Sequence, residues 1–188
     1  QKPDAFAVRH QDDAEVRAST SGAVFAALSD YVLDCGGTVY GAGFGDHFRV
    51  VHKRASDKHQ RDEFRRSKYV QSDMEDIFRR VREDLKTGIP VLFTGTPCQT
   101  AGLRSYIDGK LAENLYLADI VCHGTPSPAV WDSYLSWRED LAGEKAKNVI
   151  FRDKAFGWRI SRETIEFDGR NVSSRSYNHL FYQNIMMR

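Results

Sequence analysis

Two short stretches set a thiol in a Gly- and Pro-punctuated loop just ahead of a helix signal: Thr94-Gly95-Thr96-Pro97-Cys98-Gln99 and Cys122-His123-Gly124-Thr125-Pro126-Ser127-Pro128. In the first, Thr96 and Pro97 read as N-cap and first helical residue. That puts Cys98 in the first turn, where free N–H groups and the helix dipole favour a thiolate. In the second, Cys122 precedes its helix by about a turn's worth of loop and stands next to His123 and Gly124. Singly, each cysteine reads as the small buried residue that a free cysteine commonly is. As a pair on neighbouring loops, they read as half of a four-cysteine iron–sulfur site. His123 either supports such a site or makes a simple hydrogen bond. A different chemistry uses Cys98 as nucleophile and His123 as base in an acyl- or glycosyl-type transfer, which leaves Cys122 without a task.

Two further stretches suit a phosphate or a ring. Ser19-Thr20-Ser21-Gly22 offers hydroxyls and backbone N–H groups at a helix start; it serves equally as a plain N-cap. Ser67-Lys68-Tyr69-Val70-Gln71-Ser72 joins a cation, an aromatic ring and two hydroxyls ahead of another helix, although a lysine there is commonly just solvated. No GxGxxG follows a strand, so the standard dinucleotide fingerprint is missing and any flavin must use other loops. His52 reads as a half-buried polar residue at a sheet edge. Cys35, ending a helix before Gly36-Gly37, reads as core, and so do Trp131, Tyr134 and Trp137 at helical spacing.

The elements that must carry these loops follow from periodicity. Ala5 to Arg9 reads as a short strand. Val24, Phe25, Leu28 and Val32 give a helix a buried face, and Gly36 and Gly37 stop it. Thr38–Ala42 and Phe48–His52 read as paired strands across Gly43–Asp46. Arg54–Arg66 is charged and reads as a solvated connection. Met74, Ile77, Phe78, Val81 and Leu85 mark an amphipathic helix ended by Gly88. Then come strand 91–93, a helix to about Ile107, strand 115–121 and a helix to about Leu141. A β-rich return follows through 149–151 and 163–167 with Asp168-Gly169 as a hairpin turn, and a last helix carries Tyr177, Leu180 and Phe181. This grammar predicts the α/β class, with a mixed, partly parallel sheet and packed helices, in one domain over 1–188 cut at both ends.

Composition narrows the function classes. With 41% hydrophobic and 28% charged residues the chain is ordinary for a globular protein, and a net charge of +1 gives no strong pull to nucleic acid or anionic membrane. No apolar run reaches the ~18 residues that a membrane span needs. Three scattered cysteines are too few for a disulfide framework, so a reducing, cytoplasmic setting is expected.

Six motifs in order resemble one family, the coenzyme F420 hydrogenase/dehydrogenase beta subunits, over the chain from about Ala5 onward. They are Ser19–Phe25, Gly37–Ala42, Ser67–Ser72, Leu92–Gln99, Asp119–Ser127, and Phe151-Arg152-Asp153-Lys154 with Gly157-Trp158. The version resembles a bacterial branch associated with surface-polysaccharide loci. The resemblance implies FAD and a 4Fe-4S cluster, with electrons passing between iron–sulfur centres and a small organic acceptor. It implies cluster ligation by Cys98 and Cys122 and a flavin pocket drawn from Ser19, Ser21, Gly22, Lys68, Tyr69, Ser72, Thr94, Gly95, Thr96 and Gln99. Lys68 and His123 are the residues expected to act in catalysis, and a ferredoxin-like module or other donor protein is the expected partner. Two departures stand out. The family's ferredoxin-like cysteine clusters and its later Cys-x-x-Cys pair are not in this sequence, and Ala23 replaces a second glycine in the serine turn. A non-catalytic scaffold for a redox or glycan-synthesis complex is the alternative.

Overall fold

The computed structural model describes residues 3–155, 157 and 162–175. β1 (Thr38–Phe44) runs antiparallel to β2 (Val50–Ala55) and parallel to β3 (Val91–Gly95), and β3 runs parallel to β4 (Leu115–Asp119). The order is β2-β1-β3-β4, so the expected mixed, partly parallel sheet is present and the α/β class holds. A second, antiparallel sheet follows: β5 (Asn148–Asp153), β6 (Arg162–Phe167) and β7 (Arg170–Arg175), with Asp168 and Gly169 turning between the last two.

Strand alternation distributes the core. Val39 and Leu92 face one side of the larger sheet with Val32 of α2 (Val24–Asp34), Ala55 and Phe64. Tyr40, Val91 and Phe93 face the other with Ile77, Val81 and Leu85 of α4 (Ile77–Lys86) and Leu103 of α5 (Pro97–Tyr106). A third cluster joins the sheets: Val50 and Val70 pack with Trp131, Tyr134 and Leu135 of α6 (Pro128–Ala142) and with Val149, Phe151, Ile165 and Phe167. Trp131 is fully buried and donates from Nε1 to the Phe48 carbonyl at 3.0 Å.

Several expectations need correction. Residues 5–9 form no strand, having no ladder partner among the described residues; Phe6 and Val8 stand exposed, and a short helix, α1 (Asp13–Ala18), follows on its Asp12 cap. The buried face of α2 is Ala26, Ser29 and Val32, while Val24 and Leu28 are exposed. A helix laid flat on a sheet takes small residues at the contact, and the larger ones fall to its sides. A 3-10 turn at Asp46–Phe48, with His47 left-handed at φ 50°, moves the second hairpin strand to Val50–Ala55. The segment 54–66 is more than a solvated connection. It holds α3 (Lys58–Asp62), and Arg61, 1% exposed, binds Asp30, Ser29 and the Ala26 carbonyl. Cys35 is exposed rather than core: it caps the end of α2, just before Gly36 at φ 74°. Trp131 and Tyr134 are core as expected, but Trp137 is 43% exposed. His52 lies on the edge strand but is 5% exposed, more deeply buried than half. The expected final helix lies outside the described residues.

Candidate functional site

β3 and β4 pair in register from Val91↔Leu115 to Gly95↔Asp119, so the loops that follow them leave the same end of the sheet. Ligands bind open α/β sheets at the carboxyl ends of their parallel strands. The Ile120 amide donates to the Gly95 carbonyl at 3.1 Å, tying the loops together where the ladder stops. α5 starts at Pro97 and α6 at Pro128, as the Thr96-Pro97 and Ser127-Pro128 signals predict. Cys98 is exposed in the first turn of α5, with its sulfur 3.1 Å from Thr96 Oγ1. Cys122 is half-buried and accepts from the Gly124 amide at 3.3 Å. His123 is exposed, and no hydrogen bond links it to Cys98 among the described residues.

The stretch 67–73 is stitched across this end. Its Gln71 amide donates to Pro126 O at 3.0 Å, on the β4–α6 loop. Asp73 exchanges backbone bonds with β2, its amide donating to Val50 O at 2.9 Å and its carbonyl accepting from the His52 amide at 2.9 Å. Ser72 Oγ lies 2.8 Å from His52 Nδ1 and accepts from Gln99 Nε2 at 2.8 Å. Gln99 Oε1 accepts from the Thr96 amide at 2.9 Å, and Thr94 Oγ1 donates to Tyr40 O at 3.0 Å. An added Cβ at Gly95 would meet Gln99 Oε1 at 2.9 Å, so a side chain there would have to push Gln99 aside. Tyr69 sits edge-on to Phe151, 5.9 Å between centroids.

Lys68 Nζ donates to the Glu63 and Arg65 carbonyls, each at 2.8 Å, and lies 5.9 Å from the centre of the Phe44 ring. Burial pushes its ammonium down to about 7; Glu63 opposes the shift, and the positive charges of Arg66 and Lys53 add to it.

The serine turn reaches the same neighbourhood. α2 is entered through Ala23, left-handed at φ 63° and without a side-chain cap, so the serines are not capping that helix. Ser19 is buried and Ser21 exposed, while Gly22 packs so tightly on the Val8 carbonyl that a Cβ would come within 2.5 Å. Lys154 Nζ donates to the Ser19 carbonyl and, at 3.3 Å, to Val16 O; Arg66 Nε donates to Ala18 O at 3.4 Å. Burial first, then Arg66 and Arg152, pushes the Lys154 ammonium below its ordinary range. Arg66 is the shared member, perturbing both Lys68 and Lys154. One cation group, Lys53, Arg66, Lys68, Arg152 and Lys154, therefore spans the serine turn and the lysine loop.

Of the expected residues, Ser72, Thr94, Thr96 and Gln99 are brought into one bonded circuit. Lys68 and Tyr69 share its loop, and Ser19 is reached through Arg66 and Lys154. Gly22 packs on the segment around Val8, while Ser21 and His123 are exposed. Sequence reasoning missed Arg66, Arg152 and Lys154 as members of the site. The signal was present, because Phe151-Arg152-Asp153-Lys154 stood out as a motif without a task.

Among solved structures, the chain is similar to a chain of the F420-reducing NiFe hydrogenase complex from Methanosarcina barkeri. The TM-score is 0.61 and the identity 18%, covering 89% of this chain and 58% of that one. That likeness speaks for the fold, over little more than half the length of the neighbour. No curated protein sequence matched. Residues 90–179 match the sequence model for the carboxyl-terminal region of the "coenzyme F420 hydrogenase/dehydrogenase, beta subunit". That stretch contains both cysteine loops and the Arg152–Lys154 cations. Over that stretch, a little under half of the 188 residues, the chain is similar to the coenzyme F420 hydrogenase/dehydrogenase beta-subunit family.

Proposed function

We propose that this chain is an electron-transfer oxidoreductase core that binds FAD at the cation-lined end of its larger sheet. The observation that carries the reading is the cation group. Five Lys and Arg side chains from three stretches converge there, and two of the amines are held below their ordinary range. Like charges brought together at a cost in burial are what a pyrophosphate repays. The donor set fits that group: Lys68, Arg66 and Lys154 would take the phosphates, and the Thr94–Thr96 loop and Tyr69 would line the remainder. Bound FAD would supply the exchange of electron pairs for single electrons. Lys68 would hold a positive charge beside it, stabilising the negative charge that reduction adds.

The residues do not fit a complete 4Fe-4S cluster. The chain has three cysteines, and Cys35 lies just ahead of the amino end of β1, at the opposite end of the sheet from the other two. Cys98 and Cys122 would give two ligands to a cluster whose other ligands come from elsewhere, such as a ferredoxin-like module or donor protein.

The test is kinetic. The FAD-loaded protein, reduced anaerobically, is mixed with an oxidised 4Fe-4S ferredoxin and separately with an oxidised deazaflavin. Reoxidation faster than that of free reduced FAD with at least one of them is expected. Rates equal to free reduced FAD with both would contradict the electron-transfer reading.

A further inference from the structure

His52, Ser72, Gln99, Thr96 and Thr94 form a hydrogen-bond circuit whose directions can be worked out. The Thr94 carbonyl, 3.0 Å from His52 Nε2, can only accept, so Nε2 carries the hydrogen. Burial pushes the imidazole below its ordinary range, which keeps it neutral and leaves Nδ1 a bare acceptor. Ser72 therefore donates its O–H into Nδ1 at 2.8 Å. The Ser72 oxygen accepts from Gln99 Nε2, and Gln99 Oε1 accepts from the Thr96 amide. The imidazole is also stacked on Phe93, 13° from parallel and 5.2 Å between centroids. The circuit starts at Thr94 and returns to Thr96, two residues along the same loop, after passing through β2 and the 67–73 stretch. Every hydrogen in it points inward. Ser72 has no O–H left for a ligand, and Gln99 has one N–H and the Oε1 committed.

We infer that His52 is a positioning residue: through Ser72 and Gln99 it fixes the Thr94–Gln99 loop and with it the placement of the Cys98 thiol beside Thr96. Ser72 and Gln99 then act through this circuit and not by touching a cofactor. This deepens the redox reading of the same end of the sheet and rests on it for its biological meaning, but its test does not need a flavin.

The test compares alkylation of Cys98 and Cys35 by iodoacetamide, read peptide by peptide by mass spectrometry in the folded protein. Both thiols are exposed, so Cys35 reports general loosening. Ser72→Ala opens the circuit with little loss of volume, and His52→Phe keeps the stack on Phe93 but removes both ring hydrogen bonds. Each removes two hydrogen bonds of the circuit and should change the Cys98:Cys35 rate ratio by at least about fivefold, the size expected for losing one of them. His52→Asn sets an amide oxygen near the Nδ1 position and should bring the ratio back toward the parent value. An unchanged ratio in Ser72→Ala would overturn the inference, as would a His52→Asn ratio no closer to the parent than that of His52→Phe. If FAD fails to bind the parent protein while these ratios behave as expected, the flavin reading fails and the positioning role stands.

Discussion

Lys68 is the residue whose titration bears most directly on anion binding. Its ammonium, pushed down to about 7, is only part-charged at neutral pH, and a dianion should bind the protonated form better. Affinity for pyrophosphate, read by calorimetry, should therefore fall as pH rises above about 7, and Lys68→Met should flatten that slope. A slope that survives Lys68→Met would assign it elsewhere. Lys53 is a poor comparison residue, since it is bonded to Glu63 at 2.8 Å and adds to the Lys68 shift; Lys86, paired with Glu83 on α4, is the better one. His52 gives a second pH dependence. Its folded value lies below the ordinary 6.5, so the unfolded chain binds the extra proton and stability falls as pH drops below about 6.5. Urea melts of His52→Phe should show a shallower loss over that window.

At the scale of elements, α6 and the second sheet share a buried carboxyl. Glu163 is 1% exposed, accepts from the Tyr134 hydroxyl at 2.7 Å, and is pushed up by burial to about 7, with Arg138 opposing. A raised carboxyl contributes stability at acid pH that is lost as pH rises through about 7. Glu163→Gln should remove that loss and leave the protein more stable at pH 8 by on the order of 1–3 kcal/mol. Equal pH slopes for parent and variant melts would contradict it. Trp131→Ala, in contrast, empties the centre of the same cluster and should cost about 3–5 kcal/mol. Most of this layer was legible in the sequence, because long periodic runs and Thr-Pro or Ser-Pro starts locate α4, α5, α6 and the strands before them. What was not legible depended on tertiary contact: which side of α2 is buried, the Asp46–Phe48 turn, and a buried Arg61 in a run of charges. Site membership followed the same division. The Lys68 loop and the Cys98 loop announce themselves by composition, whereas His52 read as an edge residue and Lys154 had no visible task until the backbone brought it to Ser19.

For the molecule as a whole, the two cysteines at the sheet end and three in the chain set a ceiling on metal content. After anaerobic reconstitution, iron analysis of this chain alone should stay well below the four irons of a full cluster. Close to four per chain, with a reducible cluster signal, would contradict that. The flavin site is read by FAD titration followed by flavin fluorescence, on the parent protein, the Lys68→Ala/Lys154→Ala double variant and Lys86→Ala. The parent and Lys86→Ala should bind alike, and the double variant should bind at least about a hundredfold more weakly, as expected for two lost charge-assisted contacts. Equal affinities in all three, or no binding by the parent, would contradict a flavin site at the cation group.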